Sequence, residues 1–62
     1  MNIKRLLEIL NDKHISRYKL SKLSGVNEST ITRLINEKNK DPKLSTVKAI
    51  AKALGVDINE II

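Results

Sequence analysis

The chain has 62 residues, no cysteine, one tyrosine as its only aromatic residue and a net charge of +5. So short a chain forms at most one domain, and the lack of cysteine excludes a disulfide framework or a thiolate metal site as a support for its core. The aliphatic composition, with two glycines and one proline for turns, predicts a single compact all-α domain over residues 1–62.

The amino terminus, MNIKRLLEILND, places basic residues before leucines, as an export signal does. Glu8 and Asp12 interrupt the apolar run before it reaches the length of a signal or of a membrane span, and no small-residue cleavage site follows. Together with the absence of cysteine, this predicts a cytoplasmic location and no contact with a membrane.

The first predicted helix has an apolar stripe with the i, i+3, i+4, i+7 spacing of an amphipathic helix. Its residues are Ile3, Leu6, Leu7 and Leu10. Asn2 is placed to cap the helix, since asparagine can accept a hydrogen bond from a free backbone N–H of the first turn. The polar segment from Asn11 to Ile15 is expected to end it.

Ser16 is placed to cap a second helix, in which Leu20 and Leu23 face inward. Gly25 is expected to end this helix, because glycine readily takes the left-handed conformation common at helix ends. A third helix follows after three residues. So short a link forces the two helices to cross sharply, which predicts a helix-turn-helix unit over about residues 16–37. Val26 would fill the gap between the pair and the core.

The first turn of the second helix holds Arg17, Tyr18 and Lys19. The helix macrodipole disfavours cations there by about 0.3–1 kcal/mol each. A phosphate docked at that end would reverse the penalty by accepting hydrogen bonds from the backbone and from these side chains, which predicts phosphate contacts for all three. In the alternative interpretation, Asp12 or another acidic residue neutralises the cluster in the folded protein.

The third predicted helix, capped by Asn27, has two unlike faces. At about 100° per residue, the apolar side holds Ile31, Leu34 and Ile35, and an arc of about 140° opposite holds Glu28, Ser29, Thr32, Arg33 and Asn36. A solvated face would favour stronger helix formers than serine and threonine. Short polar side chains allow close approach to base edges, and arginine can bind O6 and N7 of guanine, so the pattern predicts base readout.

The net charge lies in the middle of the chain. Residues 13–43 hold eight basic and three acidic side chains, whereas the remaining residues hold four of each. A polyanion such as DNA is the typical partner of such a segment. A solvated surface that happens to be rich in lysine is the alternative.

Pro42 marks a loop, after which Ser45 is placed to cap a fourth helix. Its inward residues are expected to be Val47, Ile50, Ala51 and Leu54. Gly55 should end this helix, and Asp57 can cap a fifth short helix in the sequence INEII.

With these elements in order, the sequence resembles the Cro/cI-type (XRE-type) helix-turn-helix family of phage and bacterial transcriptional repressors. The segment ISRYKLSKLSGVNESTITRLINEK matches the spacing of the motif, and DPKLSTVKAIAKALGVDINEII resembles the loop, fourth helix and closing turn of the family. The resemblance covers roughly residues 3–61. It implies a lambda-repressor-like bundle of five short helices around a central helix-turn-helix. Ser21 and Glu37 depart from the alanine and glycine that are usual at their positions.

The resemblance also implies roles for individual residues. Base contacts in the major groove are implied for Asn27, Glu28, Ser29, Thr32 and Arg33. Contacts with the DNA backbone are implied for Arg17, Asn36, Lys38, Asn39, Lys40 and Lys43. Glu28 could accept a hydrogen bond from N4 of cytosine, but an acidic residue in a first turn is also explained by the helix dipole, and we prefer that structural role.

These features predict a transcriptional repressor that binds double-stranded DNA sequence-specifically, as a homodimer on a two-fold symmetric operator. Half-sites would lie about 34–36 Å apart. The candidate dimer surface is apolar and carboxy-terminal, and the alternative is that the same residues complete the core: Val56, Ile58, Ile61 and Ile62. The alternative is a protein-interaction module on the same fold, such as an antitoxin or antirepressor, with weak or no DNA binding.

An enzyme is not expected, nor is a cofactor, a metal or a small-molecule ligand. Residues 16–19, SRYK, have the S-x-x-K spacing of serine acylases but lack the companion motifs. His14 is the only histidine and lies in a predicted loop, where a solvated side chain is the simpler interpretation.

Overall fold

The computed structural model describes residues 1–36 and 42–62 as four α-helices followed by a 3₁₀ turn. The helices are α1 (Ile3–Asp12), α2 (Arg17–Ser24), α3 (Glu28–Ile35) and α4 (Leu44–Leu54), and the turn is Ile58–Glu60. Neither of these two ranges contains a strand. The predicted all-α class is therefore confirmed.

The prediction of a fifth helix is wrong, because the chain closes on a three-residue 3₁₀ turn. Asp57 caps this turn as predicted, and its carboxylate accepts a hydrogen bond from the backbone N–H of Asn59 at 2.8 Å. Ile61 then leaves the helical path with φ of −121°, and its side chain is completely buried in the core. Its carbonyl oxygen accepts a hydrogen bond from the N–H of Asn2 at 2.7 Å. The closing turn is thereby attached to the start of α1.

One aliphatic core joins all four helices and the closing turn. Its buried members are Leu6, Ile9, Leu10, Leu20, Ile31, Leu34, Val47, Ile50, Ala51, Leu54 and Ile61. The four residues predicted to face inward from α4 all belong to it. Burial of aliphatic side chains contributes about 1.5–3 kcal/mol for each large residue, so this cluster supplies most of the stabilisation available to the domain.

Two leucines that were predicted to face inward are exposed. Leu7 is 42% exposed and Leu23 is 48% exposed. In α1 the buried stripe passes through Ile9 instead, because the neighbouring elements cover the side of the helix that includes Leu6 and Leu10. Near the end of α2, Ser24 occupies the half-buried position four residues after Leu20 and leaves Leu23 facing outward.

Three of the predicted helix caps are confirmed. The side chain of Asn2 accepts from the N–H of Arg5 at 3.0 Å, and those of Ser16 and Asn27 cap α2 and α3 in the same way. The cap predicted at Ser45 is wrong. Helix α4 begins two residues earlier than a cap at Ser45 would place it, because the N–H of Val47 already donates to the carbonyl of Lys43 at 3.2 Å.

Helices α1 and α4 end in the same backbone arrangement, in which a left-handed residue follows the last turn. In α4 this residue is Gly55, with φ of 68°, as predicted. In α1 it is His14, with φ of 55°. The N–H of Ile15 then donates to the carbonyl of Leu10 at 2.9 Å, just as the N–H of Val56 reaches back into α4. Histidine therefore occupies a position that glycine usually fills.

Candidate nucleic-acid interface

The link between α2 and α3 has only three residues, and the two helices pack against each other. Gly25 ends α2 with φ of 74°, as predicted, and its N–H donates to the carbonyl of Ser21 at 2.9 Å. Val26 is half-buried and packs against the core, which also agrees with the prediction. Helix α2 packs against both α3 and α4. The turn and α4 thereby fix the direction in which α3 leaves.

Two serines on the inner side of α2 hold this turn. The hydroxyl of Ser21 donates to the carbonyl of Val26 at 2.7 Å. The hydroxyl of Ser24 donates to the carbonyl of Leu20 at 2.7 Å and accepts from the N–H of Val26 at 3.1 Å. Both backbone polar groups of Val26 are therefore bonded to side chains of α2. The sequence predicts only that position 21 holds a small residue. The sequence signal for the hydrogen bonds to Val26 is the presence of two serines, Ser21 and Ser24, within the last turn before Gly25.

One side of α3 presents polar side chains at the i, i+3, i+4, i+7 positions. These residues are Ser29, Thr32, Arg33 and Asn36. Ser29, Arg33 and Asn36 are exposed, whereas Thr32 is half-buried. Ile31 and Leu34 are buried on the opposite side, so the core holds this polar face outward. Thr32 lies at the edge of the face, where α3 meets the body of the domain.

The amino terminus of α3 is capped by Asn27, and two hydrogen bonds join Asn27 to Ser29. Oδ1 of Asn27 accepts from the backbone N–H of Ser29 at 2.8 Å and from its hydroxyl at 2.6 Å. Glu28 is exposed in the first turn, where the macrodipole favours an acidic side chain. The ion pairs found among residues 1–36 and 42–62 do not include Glu28.

The amino-terminal end of α2, like that of α3, presents polar side chains on the surface. Arg17, Tyr18 and Lys19 are exposed there, and the first turn holds no acidic residue. The alternative in which Asp12 neutralises the cluster is not found in the described part of the chain, where both ion pairs belong to Arg5. A helix amino terminus with free N–H groups and nearby cations suits an anion.

Tyr18 is held by a neighbour on the next turn of α2. The ammonium of Lys22 lies over its ring, with Nζ 5.3 Å from the ring centroid. A cation–π contact at an exposed site contributes about 0.5–1 kcal/mol. Tyr18 nevertheless remains 59% exposed, so the contact orients the ring without burying it.

The remaining candidates follow α3. Asn36 ends the helix, and its N–H donates to the carbonyl of Thr32 at 3.0 Å. Lys43 is exposed at the start of α4. Lys38, Asn39 and Lys40, as well as the departure at Glu37, lie outside the described residues. The roles predicted for them stay predictions.

Neither a metal-binding cluster nor a membrane-spanning helix is found in the described ranges. Residues 1–36 and 42–62 contain no group of three or more histidine, aspartate or glutamate side chains placed to hold a metal ion. In the same ranges, no helix has both the length and the apolar character needed to cross a membrane.

Comparison with known proteins identifies the family. The model of the Cro/C1-type HTH DNA-binding domain matches residues 5–62. An uncharacterised HTH-type transcriptional regulator from Coxiella burnetii (strain RSA 493 / Nine Mile phase I) is 33% identical over 57 residues. That match covers 92% of this chain but 26% of the relative, so the chain spans about a quarter of that protein. No solved structure matches. The chain belongs to the Cro/C1-type helix-turn-helix DNA-binding domains.

Proposed function

We propose that this domain binds double-stranded DNA sequence-specifically and represses transcription, with α3 lying in the major groove. The exposed face of α3 supports this most directly, because it offers hydroxyl, guanidinium and amide groups instead of strong helix formers. Ser29, Thr32 and Arg33 are the proposed base readers. Asn27 both caps α3 and contacts a base, and Glu28 serves the helix through its dipole.

The proposed phosphate contacts lie on both sides of α3. At the start of α2 they are Arg17, Tyr18 and Lys19, supported by their exposure and by the first turn of α2, which holds no acidic residue. After α3 the proposed contacts are Asn36, Lys38, Asn39, Lys40 and Lys43. Contacts of this kind set the register of α3 in the groove but carry no sequence information themselves.

A homodimer on a two-fold symmetric operator is proposed because one short helix reaches few base pairs. The two copies of α3 would lie about 34–36 Å apart, one turn of the double helix. Of the four carboxy-terminal candidates for the dimer surface, Ile61 is completely buried, and Val56 and Ile58 pack against the core. Ile62 is 63% exposed and remains available for a contact between subunits.

A protein-interaction module on the same fold is the rival, supported by exposed apolar side chains away from α3. These include Leu7, Leu23 and Leu44. The two functions differ in their dependence on salt, because DNA binding releases counterions. If the basic side chains among the proposed contacts neutralise about four phosphates per subunit, the logarithm of the affinity should fall with the logarithm of salt concentration at a slope of about −3.6 per subunit.

The test is retention of a random-sequence duplex pool by the wild-type chain, measured at several salt concentrations starting from about 50 mM. Retention with a steep negative slope supports DNA binding. A flat dependence, or no retention at the lowest salt concentration, would support the interaction module instead.

A further inference from the structure

We propose that the hydrogen bonds between Asn27 and Ser29 determine whether each of these two side chains donates a hydrogen bond to DNA or accepts one from it. Asn27 is left as a donor only, and Ser29 is left as an acceptor only. This inference rests on the proposed function, since it concerns base readout by α3. It selects a G·C base pair, and excludes adenine, at the position that faces Asn27.

The carbonyl oxygen of the Asn27 side chain has no acceptor capacity left. An amide oxygen has two lone pairs. One accepts the backbone N–H of Ser29 at 2.8 Å, and the other accepts the hydroxyl of Ser29 at 2.6 Å. The backbone N–H also settles the orientation of the amide, because Nδ2 cannot accept a hydrogen bond. The exposed group that remains for a ligand is Nδ2, with its two N–H donors.

The hydroxyl of Ser29, in contrast, is left able only to accept a hydrogen bond from a ligand. A serine hydroxyl has a single hydrogen and two acceptor lone pairs, and its hydrogen points at Oδ1 of Asn27. Ser29 is exposed on the outer face of α3. It can therefore accept a hydrogen bond from a base amino group, but it cannot donate one while the bond to Asn27 persists.

The donors left on Asn27 and the acceptor left on Ser29 determine which base pair they can bind. When asparagine binds adenine with two hydrogen bonds, its oxygen accepts from N6 while its nitrogen donates to N7. Asn27 cannot do so, because its oxygen is occupied. Guanine offers two neighbouring acceptors, N7 and O6, to the two N–H groups of Asn27, and its partner cytosine offers the N4 amino group to Ser29. Thymine offers a single acceptor, O4, next to its methyl group.

The experiment selects binding sites from a random duplex pool with four proteins. The wild type should select guanine over adenine by about tenfold or more at one position in each half-site. Asn27→Ser identifies this position, because serine keeps the cap without adding charge but removes the Nδ2 donors. The guanine preference should disappear there and nowhere else.

Ser29→Ala is the decisive variant. It removes the hydroxyl but keeps the backbone N–H, so one lone pair of the Asn27 oxygen becomes free for N6 of adenine. We expect the preference for guanine over adenine to fall below about threefold at the Asn27 position, with other positions unchanged. Thr30→Val is the matched control. It removes a hydroxyl from α3 at a residue that neither bonds to Asn27 nor belongs to the proposed base readers, and it should leave this position selective for guanine.

The outcomes separate the two proposals. If the wild type retains no duplex, the proposed function is wrong. If the wild type selects sites but Ser29→Ala keeps the guanine preference, or if adenine is preferred at the Asn27 position, the hydrogen-bonding assignment is wrong and DNA binding stands. Because Asn27 and Ser29 are exposed, the variants should fold, and circular dichroism at the selection temperature verifies this.

Discussion

The guanidinium of Arg5 binds the carboxylate of Glu60, with Nη2 3.0 Å from Oε1, across 55 residues of sequence. The same two ends of the chain are joined by the backbone bond from Asn2 to Ile61. The closing turn is therefore attached to α1 both by an ion pair at the surface and by an aliphatic side chain in the core. These two contacts should differ greatly in their contribution to stability.

Ile61→Ala should lower the free energy of unfolding by about 2–5 kcal/mol, since it leaves a cavity at a completely buried position. Glu60→Gln should cost about 0–1 kcal/mol, because both side chains of the ion pair are about two-fifths exposed and water screens their attraction. Urea unfolding of both variants measures the difference. Equal losses would show that the ion pair, and not burial, holds the closing turn.

Gly25→Ala and Gly55→Ala should each cost about 1–2 kcal/mol in stability. Both glycines have positive φ, and a methyl group would meet no atom within 4 Å at either site. The loss of stability in each variant therefore comes from the backbone conformation alone, and it should be similar in size at the two sites. Gly25→Ala should also weaken DNA binding at equal folded fraction, because relief of the strain at Gly25 changes the angle between α2 and α3.

Gly55→Ala is the matched control, since it strains the end of α4 and leaves the helix-turn-helix unchanged. Thermal unfolding gives the stability of both variants, and titration of a selected duplex gives their affinities. Equal affinities after correction for folding would mean that the angle set by Gly25 does not matter for DNA binding.

His14→Gly should raise the free energy of unfolding by about 0.5–1 kcal/mol. The left-handed conformation costs a residue with a Cβ about 1–2 kcal/mol, and the greater freedom of glycine in the unfolded chain offsets part of the gain. His14 is exposed with φ of 55°, so no packing is lost. Chemical denaturation measures the change, and a loss of stability would show that the imidazole makes a favourable contact.

Local side-chain chemistry made much of the fold predictable. Asn2, Ser16, Asn27 and Asp57 cap their elements because short polar side chains reach the free N–H groups of the next turn. The inward face of α4 could also be predicted, since its apolar residues fill one side of a regular helix.

The sequence pattern did not determine which leucines of α1 and α2 are buried, because this depends on how the helices pack together. Whether Leu7 or Ile9 faces inward depends on which side of α1 its neighbours cover, and periodicity allows either. At the end of α2, Leu23 is exposed, and the half-buried Ser24 bonds to the turn. At the candidate site, the outward face of α3 was predicted, but the direction of the bonds between Asn27 and Ser29 needed atomic positions.

In the proposed complex, α3 reads bases and α2 holds phosphates. Arg33→Ala and Lys19→Ala test it as a pair, because each removes one exposed cation, the first from α3 and the second from α2. The most direct measurement is the affinity of both variants for a selected duplex and for a set of its single-base-pair changes. Arg33→Ala should cost about 1–3 kcal/mol and relax the preference at one base position. Lys19→Ala should weaken all duplexes alike and make the salt slope shallower by about 1. If Arg33→Ala instead weakened every duplex equally, α3 would not be reading bases through Arg33, and the claim would be contradicted.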